Sequence, residues 1–93
     1  MTINEIKEKI TPILKKHGIT KAAVFGSVAR GENTEESDID ILVEIPYPHG
    51  LFEFAGIKIE LEDVLGKKVD LVEYQAIRQK IKESILSNQV PIL

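Results

Sequence analysis

The run "GSVARGENTEESDID", from Gly26 to Asp40, sets two glycines, a serine and an arginine ahead of two aspartates that stand one residue apart. On a strand, Asp38 and Asp40 leave the same face, with α-carbons about 6.6 Å apart. Two carboxylates at that spacing repel each other when nothing lies between them. They can instead bracket divalent cations about 3.5 to 4 Å apart that bridge to phosphate oxygens. Gly26 and Ser27 come just upstream. If a strand ends there and a short helix opens, the bare amides and the serine hydroxyl can hold the terminal phosphates of a nucleotide, and the glycine allows close approach. Taken singly, Gly-Ser is usually a turn, Asp-x-Asp a solvated strand edge and Arg30 half of a surface ion pair. Their order, a phosphate loop followed by paired aspartates, answers one chemical need.

The rest of the composition narrows the partner of such a site. With no cysteine and two histidines, the chain must hold any metal through oxygen or imidazole. Neither His17 nor His49 has a second ligand at metal spacing, so oxygen-bound magnesium is the leading candidate. The net charge is -3, and between Glu32 and Glu44 the six acidic residues Glu32, Glu35, Glu36, Asp38, Asp40 and Glu44 meet no lysine or arginine. That stretch repels phosphate backbones and argues against a nucleic-acid partner. Lys67 and Lys68 could neutralise phosphate, but a solvated turn is the better account of them. Tyr47, flanked by prolines, reads as loop packing rather than a base-stacking residue.

The elements that must position these residues follow from periodicity. Ile3, Ile6, Ile10, Ile13 and Leu14 recur at helical spacing, Thr2 with Glu5 has the form of a capping box, and the helix ends near Gly18. Pro12 either kinks that helix or starts a new segment. Ala22 to Phe25 reads as a buried strand stopped by Gly26, and Ile39 to Val43 as a second strand closed by Pro46 and Pro48. Leu51 to Leu65 fits a helix capped by Gly66, with Gly56 as a local weakness. Val69 to Val72 is a third strand, and Ile77, Ile81 and Ile85 mark one face of a last helix before the tail "VPIL". That tail either contacts a partner or covers the chain's own core. The pattern predicts one α/β (α+β) domain over residues 1–93, a small mixed sheet with helices packed on one face and carboxylates on the other. A content of 43% hydrophobic and 29% charged residues is that of a folded soluble domain. No apolar run approaches the roughly 18 residues of a membrane span, and no signal segment opens the chain, so a cytoplasmic location is expected.

The run "FGSVARGENTEESDIDILV" resembles the signature of the DNA polymerase beta nucleotidyltransferase superfamily, in its branch of minimal nucleotidyltransferases, or MNT-domain proteins. The resemblance covers nearly the whole chain, including a helix ending in Leu-Gly and a strand of the form "KKVDLV". It implies a nucleotidyltransferase palm in which Asp38, Asp40 and Asp70 are the metal-binding and catalytic triad, Gly26 and Ser27 the phosphate-binding pair, and Arg30 with Gly31 the Ala-Arg-Gly that follows. Val28 departs from it, standing where many members carry arginine or another polar residue. The implied chemistry is transfer of AMP from ATP, with magnesium, to a tyrosine of a helical HEPN ribonuclease toxin, the chain acting as its antitoxin. A palm alone leaves one wall of the site missing, which a HEPN protein, a second copy of this chain or another helical protein with a small-molecule acceptor would supply. A binding antitoxin that neutralises its toxin by occlusion, without turnover, is the alternative.

Overall fold

A computed structural model describes residues 1–34, 36–77 and 79–93, so Glu35 of the acidic run lies outside the described residues. Helix α1 spans Ile3–Lys16 and opens on the expected capping box, the Glu5 amide donating to Thr2 Oγ1 at 3.2 Å and the Thr2 amide to Glu5 Oε1 at 3.4 Å. It continues through Pro12, so no new segment starts there. Pro12 lies on the exposed side, while Ile6, Ile10 and Leu14 are fully buried along the other, and their packing holds the helix across the lost amide.

Strand β1 (Lys21–Phe25) runs into a four-residue helix, α2 (Gly26–Ala29), the short helix expected after the glycine. Strand β2 (Ile39–Glu44) lies antiparallel to β1. Helix α3 (Leu51–Leu65) then carries the chain across to β3 (Val69–Glu73), which is parallel to β2. Gly66 ends α3 in the left-handed conformation, φ 66°, its amide donating to the Glu62 carbonyl at 2.8 Å. A single 3₁₀ turn, Tyr74–Ala76, leads toward α4 (Gln79–Asn88) and β4 (Val90–Pro91). The sheet order is β3-β2-β1-β4.

The "VPIL" tail covers the chain's own core. β4 pairs with β1, the amides of Ile92 and Leu93 both donate to the Ala22 carbonyl, and Ile92 is buried. Period-two alternation divides the sheet. Ala22, Val24, Ile39, Ile41, Val43, Val69 and Leu71 face α1 and α3, meeting Ile6, Ile10, Leu14, Ile57, Leu61 and Leu65 in the main core. Ala23 and Leu42 face the opposite way and form a smaller cluster with Ile77, Phe25, Val72, Ile85 and Leu86. The two long helices thus lie on one face as expected, and α4 adds a cover over part of the other. Ile77 sits in the bend before α4 rather than within it. Among the described residues no helix is long and apolar enough to cross a membrane.

Candidate functional site

The open part of the second face holds the aspartates. Phe25 is the register partner of Asp40 across β1 and β2, and Asp40 that of Asp70 across β2 and β3. Because Ala23, Leu42 and Val72 share the smaller cluster, the residues two positions away on each strand, Phe25, Asp40 and Asp70, face the same way. They form one row across three strands, each step about 4.8 Å. Asp38 stands two residues before Asp40, ahead of β2, and is exposed, as is Asp70.

Asp40 occupies the middle of the row, half-buried. Its carboxyl is pushed above the ordinary carboxylate range, first by burial, then by the charges of Asp70 and Asp38, with Arg30 partly offsetting them. The three expected ligands therefore share one electrostatic field. Among the described residues they are not drawn into a ready coordination sphere, since no three acidic or histidine side chains converge to that degree. The donor set nevertheless fits a hard divalent cation. All donors are oxygen, and the central one carries an unfavourable charge that a cation between them would relieve.

Gly26 owes its identity to this aspartate. Its φ is +70°, and a Cβ built on it would overlap Asp40 Oδ2 and lie 2.9 Å from Asp40 Cγ. Only glycine allows both the left-handed turn out of β1 and the approach of that turn to the carboxylate. The close approach expected at Gly26 is thus made first by the protein's own side chain. Ser27 follows, half-buried, and the N-cap Phe25 makes no side-chain cap bond, so the first amides of α2 have no intrahelical partner and none from the N-cap side chain. Arg30, at the C-terminal end of α2, is exposed and donates through Nε to Glu32 Oε2 at 3.0 Å, while its charge reaches Asp40.

The histidines are engaged elsewhere. His17 Nε2 lies 3.1 Å from Glu60 Oε1, joining α1 to α3. His49 bridges the Tyr47 carbonyl, 3.0 Å from Nδ1, and Glu73 Oε1, 3.0 Å from Nε2, which fastens the loop before α3 to β3. Tyr47 packs against the main core. What the sequence reading did not single out is an apolar cavity of about 300 Å³ beside Asp70, walled by Phe25, Val72, Ile77, Ile81 and Ile85. Phe25, directly before Gly26, and the isoleucines spaced four apart were its only sequence signals.

Residues 6–92 match the nucleotidyltransferase domain family. A Methanocaldococcus jannaschii protein named as a protein adenylyltransferase is 52% identical over 93 residues, which is the whole of both chains. A solved minimal nucleotidyltransferase structure is 34% identical, with a TM-score of 0.83 over 98% of this chain and 96% of that one. The MNT antitoxin in a complex with a tri-AMPylated HEPN toxin from Shewanella oneidensis shares the fold, with a TM-score of 0.75 at 18% identity over 97% of this chain and 71% of that one.

Proposed function

This chain belongs to the nucleotidyltransferase domain family, and on that premise we propose that it transfers AMP from ATP to a tyrosine hydroxyl of a helical HEPN toxin, acting as the toxin's antitoxin. The observation that carries the reading is the close approach of Gly26 to Asp40, which sets the turn out of β1 against the carboxylate row and supports its use for phosphate. The homologue named as a protein adenylyltransferase supports the reaction class, and the complex with an AMPylated HEPN toxin supports the partner.

In the proposed reaction Ser27 and the first amides of α2 hold the terminal phosphates. The tyrosine oxygen attacks the α-phosphorus in line with the bond to the bridging oxygen. That bond breaks, its electrons leave with pyrophosphate, and the phenol proton passes to Asp70 and then to water. Asp38, Asp40 and Asp70 would hold the magnesium, which supplies neutralisation of phosphate charge when bound. A partner that presents the acceptor also closes the open face and keeps water from competing.

The test is incubation of the chain with its HEPN partner, ATP labelled in the α-phosphate, and magnesium. Label on a tyrosine of the partner, absent with Asp38→Asn or Asp40→Asn of unchanged circular dichroism, is the expected result. Wild-type transfer by either variant defeats the carboxylate assignment. Protection from the toxin by Asp70→Asn, without transfer, puts occlusion in place of catalysis. Efficient transfer to a free small molecule by the chain alone removes the protein acceptor.

A further inference from the structure

The cavity beside Asp70 has no place in the reading so far, and it joins the carboxylate row directly. Phe25 and Asp70 are at once the ends of that row and walls of the cavity, with Asp40 between them. Val72 lies two residues along β3 from Asp70, and Ile77, Ile81 and Ile85 line the open side from the bend and α4. Asp40 is the register partner of both Phe25 and Asp70, which sets the cavity next to the row.

We propose that this cavity is the acceptor subsite, taking the aromatic ring of a phenol so that its hydroxyl meets Asp70. The proposal rests on the transferase reading above and assigns the residues that receive the acceptor's ring. Size supports it. At about 300 Å³ the cavity stands at the lower end of small-ligand pockets, suited to one side chain rather than a whole nucleotide.

Chemistry separates the two rings that the reaction brings to the site. A purine carries several ring nitrogens and an amine that need partners when desolvated, and among the described residues these walls offer it one ionisable group, Asp70. A phenol has a single polar group at its tip and an otherwise apolar ring, so one carboxylate at one end of an apolar slot satisfies it. Phe25 adds an aromatic surface for edge or offset stacking. A serine or threonine would reach Asp70 but leave the apolar volume unfilled. Ile81, 50% exposed at the rim, becomes covered when the ring enters.

Two measurements test this. Isoleucine methyl NMR of the full chain is titrated with N-acetyltyrosinamide and, separately, with adenosine. Shifts of the Ile77, Ile81 and Ile85 methyls with the tyrosine probe alone are expected. Shifts with adenosine alone make the cavity a base site, and shifts with neither show that it takes no ring; both overturn the proposal. Independently, Ile81→Gln, at a position exposed enough to leave the fold intact, lowers kcat/KM for the tyrosine acceptor about tenfold through loss of apolar contact, with ATP affinity unchanged. Weakened ATP binding with an unchanged acceptor KM overturns it. If the wild-type chain transfers no AMP at all, the transferase reading fails while the NMR titration still reports on the cavity.

Discussion

Replacing Gly26 with alanine separates two costs that meet at one residue. The first is conformational: at φ +70° an L side chain costs about 1 to 2 kcal/mol. Gly18, Gly31 and Gly66 have φ values of +71°, +71° and +66° but open space where a Cβ would go, so alanine at those positions measures this first cost alone. The second is steric. The new methyl would overlap Asp40 Oδ2 and lie 2.9 Å from Cγ, and forcing an extra methyl into such a contact costs about 1 to 3 kcal/mol. Gly26→Ala is therefore expected to lose about 2 to 5 kcal/mol, a large part of the roughly 5 to 15 kcal/mol of a small domain. Urea unfolding of the four members of a cycle with Asp40→Ala isolates the steric part, because alanine at position 40 removes both offending atoms. The expected coupling is about 1 to 3 kcal/mol, and nucleotidyl transfer by Gly26→Ala falls as the carboxylate is pushed aside. Additivity of the two substitutions within about 0.5 kcal/mol would refute the contact and, with it, the reason for glycine at the turn out of β1.

Asp40→Asn is expected to raise the stability of the metal-free protein at neutral pH. The carboxyl pKa is raised on folding, so the fold favours the protonated form, and wild-type stability falls as pH climbs from the ordinary carboxylate value of about 3.9 through the raised one. Urea midpoints of the two proteins should converge in acid, and a neutral-pH loss in the variant counts against the crowded-carboxylate picture. ATP binding should require a divalent cation, because the acidic row and the phosphates repel each other; calorimetry giving equal affinity with and without chelator would contradict this. His49 titrates above its usual value, chiefly through the Tyr47 carbonyl and then Glu73, so its contribution is complete below about pH 6.5 and lost as pH rises through the folded value. His49→Gln should flatten that segment of the stability profile, and an unchanged slope would assign it elsewhere. Ile92→Ala, emptying a buried position behind β4, should cost about 2 to 5 kcal/mol in urea unfolding, whereas a loss within a few tenths would mean the tail is dispensable.

Local patterns already specify much of this molecule. The Thr2 and Glu5 box, the isoleucine spacing of α1, the span Leu51–Leu65 with its Gly66 stop, and the strand around Asp40 depend on interactions within a few residues, and such interactions are visible as types at fixed offsets. The same holds for Asp38 and Asp40, whose common face is a property of strand geometry. Beyond that range, pairing between distant segments decides. Nothing near Asp70 says that it stands opposite Asp40 in a parallel register, nor does Phe25 announce that it closes the other end of the row. The "VPIL" tail carries apolar residues with two possible uses, and only the vacant edge of β1 selects between them. Pro12, an interruption by local rules, is carried through the helix by burial of Ile10 and Leu14 on either side. Gly26 shows the division within one residue. Its type signals a turn, while the reason no other residue serves there is a carboxylate fourteen positions away, brought against it by the β1 and β2 register.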